Sequence, residues 1–330
     1  MRTAPTVALL VAAACGGTSS GVDPDSTTSI DATVVADTGP DAPVGPYPIV
    51  LAHGLFGFDH LGPLDYFYGI SDALTADGRV VYAPRVDAVQ SAAVRGAQLV
   101  DAIEAFRAQT GAQKVVIIGH SQGGLDARWA AANDPDHVAA VVTVATPHRG
   151  SPVADVALGV TTITGTGSTA ALDVLADFFG LSTDGSDTDF SGAIDSLSSA
   201  GAAAFNETVL DVPGIPYFSI AGRSGYAGAS DCPAAAAPFM GTWDSSTDPL
   251  KVELVPVAAI LAAAALPDTP VQDGLVTVDS AKWGTFLGCV PADHLDEVCQ
   301  IAGQSPGLGN DFDCLTFWRG LDDYLRSQNL

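Results

Sequence analysis

A serine set between two glycines is the residue of this sequence whose surroundings most directly suggest chemistry. The stretch "VVIIGHSQGG", residues 115–124, places Gly119, Ser121 and Gly123 in the frame G-x-S-x-G. The apolar run before it, Val115–Ile118, is short and β-branched, which indicates a buried strand, and a helix-like pattern follows. Glycines on both sides of a sharp strand-to-helix turn remove Cβ atoms that would collide there. The pattern predicts that Ser121 is a nucleophile, which a nearby base must activate.

Attack by Ser121 on an acyl carbonyl also needs donors for the negative charge that develops on oxygen. The backbone N–H of Gln122, at the start of the predicted helix, is one expected donor. The second is the N–H of Leu55, in "LAHGLFGF", where a strand ends in a glycine-rich loop. His53 lies at that strand end and is expected to orient the loop. His120 is expected to pack or hydrogen-bond locally.

The base is predicted to be His294, which is the only histidine after His148. When a serine on such a turn works with an acid and a histidine, the two follow it along the chain in that order. Asp273 is the preferred acid, since it follows a proline-containing turn and precedes a strand-like Leu275–Val278 segment. The alternatives are Asp279, Asp293 and Asp296.

The elements that must position these residues alternate along the chain. Strands separated by helices predict an α/β fold, with a mostly parallel central sheet and helices on both faces. In such sheets ligands bind at the carboxyl ends of the strands, where the loops after His53, Gly119 and Thr146 would meet. The predicted strands are 47–54, 78–86, 113–120, 137–147 and 215–222, and the predicted helices are 91–109 and about 122–133.

The catalytic domain is expected to cover residues 45–330, with a helical lid at about 151–212. The lid prediction rests on a long insertion of apolar, glycine-rich and serine-rich pieces just above the expected active rim. The alternative is a pair of helices that packs permanently on the sheet.

The composition excludes some classes of partner. The chain has 330 residues, and 13 Lys and Arg against 38 Asp and Glu give a formal net charge of −25. Such a field repels phosphate backbones and anionic membrane surfaces, so nucleic-acid binding is not expected.

The N-terminus is predicted to direct export. Residues 1–15 combine an arginine, a short apolar stretch and small residues before Cys15, which is too short for a membrane span and typical of a signal sequence. Cys-Gly-Gly after small residues resembles a bacterial lipobox, so Cys15 is expected to be the lipidated N-terminus. An ordinary cleaved signal is the alternative. Residues 16–44 are small, polar and acidic, and are expected to form a disordered linker.

Four further cysteines in an exported chain predict two disulfides. Three pairings are possible, and the preferred one is Cys232 with Cys289 and Cys299 with Cys314, the second pair on sequence proximity. A zinc site is the alternative, but no C-x-x-C spacing supports it.

Several segments together resemble the secreted true lipases of the Pseudomonas and Burkholderia type. They are "LAHGLFGFDHLGPLDYFYGISDAL", "VRGAQL", "VVIIGHSQGG", "ATPHRGS", "QDGLVTVDS" and "DHLDEVCQ". The resemblance runs from about Tyr47 to the C-terminus and is thin between Ser151 and Asp273. It implies an α/β-hydrolase fold, a Ser121–Asp273–His294 triad and an oxyanion hole at Leu55 and Gln122.

The resemblance also implies a structural calcium ion near the histidine loop. The matching positions are Asp248 and Asp296, through carboxylates, and Gln300 and Gln304, through backbone carbonyls, all hard oxygen ligands that suit Ca²⁺. The chain departs from the family in having four cysteines besides Cys15 where one disulfide is usual, and in the sequence of its lid region. Many relatives need a periplasmic folding chaperone, which is therefore a possible partner.

These observations predict a carboxylic ester hydrolase, specifically a triacylglycerol lipase that acts at an oil–water interface through an acyl-enzyme. A short-chain carboxylesterase or a polyester depolymerase on the same fold is the alternative. A non-catalytic lipid-binding lipoprotein is a more distant alternative, and it predicts a broken triad.

Overall fold

The computed structural model describes residues 46–55, 60–61, 64–159, 189–224, 232, 237–243, 270–300, 303, 306 and 310–330. Several predictions fall outside this part of the chain. They are the export signal with Cys15, the linker 16–44, and the calcium positions Asp248 and Gln304.

A six-stranded sheet organises the described residues, and every pairing within it is parallel. The strand order is β4-β1-β5-β6-β7-β8, and a separate antiparallel hairpin joins β2 and β3. Continuous apolar runs form the central strands because both faces of a parallel sheet are covered. The strands are β1 Ile49–Ala52, β2 His60–Leu61, β3 Leu64–Asp65, β4 Val81–Tyr82, β5 Val115–His120, β6 Val138–Val144, β7 Tyr217–Gly222 and β8 Thr285–Val290.

Helices cover both faces of the sheet. Alternate residues of β1 belong to different apolar clusters: Ile49 and Leu51 pack in one, Val50 and Ala52 in the other. This is the alternation expected of a strand that is buried on both sides. The helices are α1 Ile70–Ala76, α2 Ala92–Thr110, α3 Gln122–Asn133, α4 Pro152–Ala157, α5 Phe190–Leu197, α6 Ser199–Thr208, α7 Val278–Ala281 and α8 Cys314–Ser327, and short 3₁₀ turns lie at Pro135–His137, Pro238–Trp243 and Asp296–Val298.

The predicted fold class is confirmed, with one wrong strand. All five predicted strands are present and β8 is the sixth strand of the sheet, but the strand-like segment is not a strand. Leu275 and Val276 form a bend, Thr277 makes an isolated bridge, and Val278 begins α7. The carboxylate of Asp273 accepts hydrogen bonds from the N–H groups of Leu275 and Val276, and the Thr277 side chain caps α7. These side-chain acceptors satisfy amides that a strand ladder would otherwise use.

The flanks of the predicted lid are packed helices, while residues 160–188 lie outside the described part. Asp155 on α4 accepts from both the N–H and the hydroxyl of Ser199, at 2.8 and 2.6 Å. The N–H of Ser151 donates to the carbonyl of Leu197 at 2.8 Å. The flank 189–208 therefore fits the alternative of permanently packed helices, and lid movement stays a prediction for the insertion between.

Both expected disulfides are present, joining Cys232 to Cys289 and Cys299 to Cys314. The second closes the loop that follows His294 onto the start of α8. Of the helices that the structure describes, none combines the length and apolarity needed to cross a membrane.

Candidate active site

Ser121 lies on a tight turn between β5 and α3. Its backbone has φ 55° and ψ −129°, a region in which a non-glycine residue is strained. A Cβ on Gly119 would meet the backbone of Gly123, and a Cβ on Gly123 would meet the carbonyl oxygen of Ala52. The glycines therefore allow β5, the turn and the end of β1 to approach closely, as the G-x-S-x-G frame predicts.

The loop after β1 lies directly against the serine. A Cβ on Gly54 would be 2.7 Å from the Cβ of Ser121. The guanidinium of Arg95 donates to the carbonyls of His53 at 2.5 Å and Gly54 at 3.3 Å. Because C=O and N–H point in opposite directions across a trans peptide, the Leu55 N–H is directed away from Arg95. The loop thus presents this N–H on the side opposite the guanidinium.

Arg95 is itself fixed by a buried ion pair. Its Nε and Nη2 atoms both lie 2.8 Å from Oδ2 of Asp126, and both side chains are inaccessible to solvent. Arg95 also donates to the carbonyl of Asp87 at 2.6 Å. Burial raises the pKa of Asp126 to about 6, while the neighbouring Arg95 charge acts in the opposite direction. "VRGAQL" contains Arg95, but sequence analysis assigned it no role.

His53 takes part in the same loop, as expected. Its Nδ1 lies 2.9 Å from the carbonyl oxygen of Gly54, and the N–H of Val86 donates to its Nε2 at 3.3 Å. These contacts connect the loop after β1 to the segment after β4.

The structure brings His294 and Asp273 together. Nδ1 of His294 lies 2.8 Å from Oδ2 of Asp273, and the His294 N–H donates to the Asp273 carbonyl at 2.9 Å. The other oxygen, Oδ1, accepts from the N–H groups of Leu275 and Val276 at 2.8 and 2.7 Å. With Nδ1 engaged by the carboxylate, Nε2 is the ring nitrogen left to accept a proton.

Two of the alternative acids are engaged elsewhere. Asp279 is exposed and pairs with Lys282 at 2.6 Å. Asp293 accepts from the N–H groups of Leu295 and Asp296, both at 3.0 Å.

A buried chain of hydrogen bonds that the sequence analysis did not predict lies next to His294. The Tyr66 hydroxyl is 2.7 Å from Nδ1 of His120, and Nε2 of His120 is 3.1 Å from the carboxylate of Glu297. Burial lowers the pKa of His120 well below its ordinary value, so the ring is neutral and has one donor and one acceptor. Since the carboxylate can only accept, Nε2 carries the proton and Nδ1 accepts from Tyr66.

This chain links two loops of the site. Burial raises the pKa of Tyr66, and its oxygen also interacts with the backbone N–H of Gly54 in the loop before Leu55. The rings of His120 and His294 lie 4.6 Å apart, centre to centre. His120 therefore contacts residues 54 and 177 positions away, Tyr66 and Glu297, rather than packing only locally. No local pattern marks Glu297, because its role depends on the loop after β8 folding back onto β5.

Two of the four expected calcium positions are described. Asp296 is buried and begins the 3₁₀ turn two residues after His294. The side chain of Gln300 donates to the carbonyls of Asp65 and Tyr66, so its backbone carbonyl is the group left for the expected ligation.

Comparison with known proteins agrees with this geometry. Residues 47–160 match a family model described as the alpha/beta hydrolase fold. A triacylglycerol lipase of Vibrio cholerae is 52% identical over 114 residues, which is 34% of this chain and 36% of that protein. The chain thus spans little more than a third of that relative.

Longer alignments cover most of both chains. A triacylglycerol lipase of Pseudarthrobacter phenanthrenivorans is 33% identical over 295 residues, 78% of this chain and 90% of the relative. The mature lipase of Bacillus licheniformis has a similar structure, with a TM-score of 0.55 at 21% identity over 79% of this chain and 89% of that one. A metagenomic carboxyl esterase gives a TM-score of 0.59 at 20% identity, covering 88% of this chain and 80% of its own. The chain belongs to the triacylglycerol lipase family of the α/β-hydrolase superfamily.

Proposed function

We propose that this chain hydrolyses carboxylic esters, and triacylglycerols in particular, with Ser121, His294 and Asp273 as its triad. The observation that carries the proposal is the 2.8 Å contact between Nδ1 of His294 and Asp273, in a chain whose Ser121 lies on a strained strand-to-helix turn. The contact orients the ring and stabilises the imidazolium that forms when Nε2 takes the serine proton.

The reaction follows from these roles in two halves. His294 takes the proton of Ser121 as Oγ attacks the ester carbonyl, and the N–H groups of Leu55 and Gln122 donate to the resulting oxyanion. Collapse breaks the ester bond, and His294 gives its proton to the departing alcohol. Water, deprotonated by the same ring, then releases the fatty acid from the acyl-enzyme. Each oxyanion donor is expected to contribute roughly 3 kcal/mol to the lowering of the barrier.

A buried apolar cluster packs against the oxyanion loop, which is compatible with an ester that has an apolar acyl group. The side chain of Leu55 belongs to a cluster with Val153, Ile194 and Leu197 from α4 and α5. The alternatives of a short-chain carboxylesterase or a polyester depolymerase use the same triad and differ in substrate. The non-catalytic alternative predicts a broken triad, and the intact pair of His294 and Asp273 argues against it.

The substrate is tested by titrating the acid released from emulsified trioleoylglycerol and, separately, from dissolved tributyrin. We expect turnover of both, with the long-chain emulsion hydrolysed well above a Ser121→Ala blank. Hydrolysis confined to tributyrin would keep the triad and replace the lipase assignment by that of an esterase or depolymerase. Hydrolysis of neither would reject the proposed function.

We also propose a structural calcium ion held by Asp248, Asp296, Gln300 and Gln304. The donor chemistry fits, since two carboxylates and two backbone carbonyls are the oxygen ligands that Ca²⁺ prefers. Asp296 is 2% exposed, and a cation beside its carboxylate would offset part of the cost of burying that charge. Such an ion would fix the turn that follows His294.

Removal of calcium is therefore expected to lower the melting temperature. A ligand present at about 100 times its Kd stabilises the folded state by about 2.7 kcal/mol, so chelation by EDTA should lower Tm by roughly 5 °C or more. The measurement is a thermal melt with EDTA, with EDTA presaturated by calcium as control. An unchanged melt, together with an Asp296→Asn variant that melts like the parent, would contradict the calcium site.

Export with lipid anchoring through Cys15 remains a proposal, with an ordinary cleaved signal as its alternative. Two disulfides support an oxidising compartment outside the cytosol. The expected partner is a lipid or ester substrate at an oil–water interface, and a periplasmic folding chaperone is a second proposed partner.

A further inference from the structure

We propose that His120, Glu297 and His294 form a binding site for zinc, and that a zinc ion bound there inhibits the enzyme. Each residue offers a nitrogen or a carboxylate oxygen, and these three atoms lie within 4.8 Å of one another. In the part of the chain that the structure describes, this is the group of histidine, cysteine and acidic side chains that converges closely enough to hold an ion.

The ligand types select zinc rather than calcium. Two imidazoles and one carboxylate are a common protein ligand set for Zn²⁺, with a fourth position open to water. Calcium and magnesium prefer oxygen ligands alone. The site is therefore distinct in chemistry from the proposed calcium site.

The geometry needs a limited adjustment. Zn–N and Zn–O bonds of about 2.0 to 2.2 Å place two ligand atoms of a tetrahedral ion about 3.3 Å apart. Nε2 of His120 and the carboxylate of Glu297 are already 3.1 Å apart. No pair of these atoms is more than 4.8 Å apart, so the most distant pair must approach by at most about 1.5 Å.

One nitrogen of each histidine already has a hydrogen-bond partner outside the proposed zinc site. Nδ1 of His294 faces Asp273 at 2.8 Å, and Nδ1 of His120 faces the Tyr66 hydroxyl at 2.7 Å. A second hydrogen bond of this kind orients a ligating imidazole and strengthens its binding to metal. Coordination at His120 requires its Nε2 proton to move to Nδ1, where the Tyr66 oxygen can accept it.

Inhibition follows because zinc and the serine proton compete for the same lone pair. In the proposed function, Nε2 of His294 is the atom that removes the proton of Ser121. The inhibition by zinc therefore rests on the proposed function. Zinc at that nitrogen leaves Ser121 protonated. The binding half does not depend on catalysis.

The test uses the full-length protein with calcium present throughout, and cobalt as a coloured substitute for zinc. We expect Co²⁺ to give the intense visible absorption of a four-coordinate ion, in the wild type and in Ser121→Ala, and zinc to remove it. We expect zinc to inhibit tributyrin hydrolysis by the wild type. Glu297→Gln should lose the cobalt band and require at least about tenfold more zinc for half-inhibition of its remaining activity. The control is His137→Gln, which removes a histidine that pairs with Asp134 away from the site.

Each failure has a separate meaning. A wild type that hydrolyses esters but gives no four-coordinate cobalt band would overturn the zinc site. Glu297→Gln inhibited at the same zinc concentration as the wild type would overturn it as well. If Glu297→Gln does not fold by circular dichroism, the cobalt spectrum of His294→Gln decides, since the band must again be lost. A cobalt band in a protein without esterase activity would retain the binding site and overturn inhibition together with the proposed function.

Discussion

Ser121→Ala is expected to reduce kcat for tributyrin by about 10⁶-fold, to the level of the uncatalysed background of the assay. The loss is large because the variant has no nucleophile to form the acyl-enzyme, and the other triad members then have no reaction to assist. The fold should be unaffected, since alanine has the same Cβ and meets the same backbone requirement at φ 55°. The free energy of unfolding should change by less than about 1 kcal/mol.

The measurement is initial rate by acid titration, paired with a denaturant melt of each protein. Ser327→Ala, at the exposed end of α8, is the matched control and should retain full activity. Turnover by Ser121→Ala within about tenfold of the wild type would contradict the proposed mechanism, because a group other than Ser121 would then have to be the nucleophile.

The parts of the fold that sequence analysis predicted are those fixed by short-range patterns. Val115–Ile118 indicates a strand because it is apolar and β-branched throughout, and the structure buries all of it. The helix predicted to start at residue 91 is capped there, since the side chain of Ser91 accepts from the N–H of Val94 in the first turn of α2. In each case the residues that determine the element lie within a few positions of it.

The error at Leu275–Val278 arises because the side chain of Asp273, which also makes a tertiary contact with His294, overrides the local pattern. Leu275–Val278 has the composition of a strand, but the carboxylate of Asp273 takes up two of its amides while also holding His294. One side chain therefore determines both the backbone of the segment and the orientation of the base. Alternation of residue types contains no information about such a contact.

The residues that support the site were missed for the same reason. Glu297 lies 177 positions from His120, and the buried guanidinium of Arg95 reaches carbonyls about 40 positions earlier in the chain. A sequence shows that a charged residue interrupts an apolar helix face. The partner that compensates its burial appears only when β1, α2 and α3 are packed together.

Arg95→Met is expected to lower the free energy of unfolding by about 3 to 5 kcal/mol, because it leaves Asp126 buried without its cation. The carboxyl can reduce this cost by taking up a proton, since burial already raises the pKa of Asp126 to about 6. At a pH between the pKa of the unfolded chain and the raised pKa of the folded state, the carboxyl holds a proton only in the folded state, and this stabilises the fold. The stability of the variant should therefore fall further as the pH rises from about 5 to about 8.

A second substitution separates this electrostatic effect from the position of the oxyanion loop. Arg95→Met/Asp126→Leu removes both charges and should recover most of the lost stability. It does not restore the hydrogen bonds from the guanidinium to the carbonyls of His53, Gly54 and Asp87. We therefore expect kcat for tributyrin to stay at least about tenfold below that of the wild type, with little change in KM, because the donor at Leu55 acts in the transition state.

The comparison is made well below the melting temperature of each protein, so that unfolding does not contribute to the loss of activity. Lys282→Met serves as the control, because its partner Asp279 is exposed and the loss should be at most about 1 kcal/mol. A double variant with wild-type kcat would show that the loop keeps its geometry without Arg95. A stable double variant with low kcat would show that Arg95 has two roles. It pairs with Asp126, and it also positions the peptide whose Leu55 N–H stabilises the oxyanion.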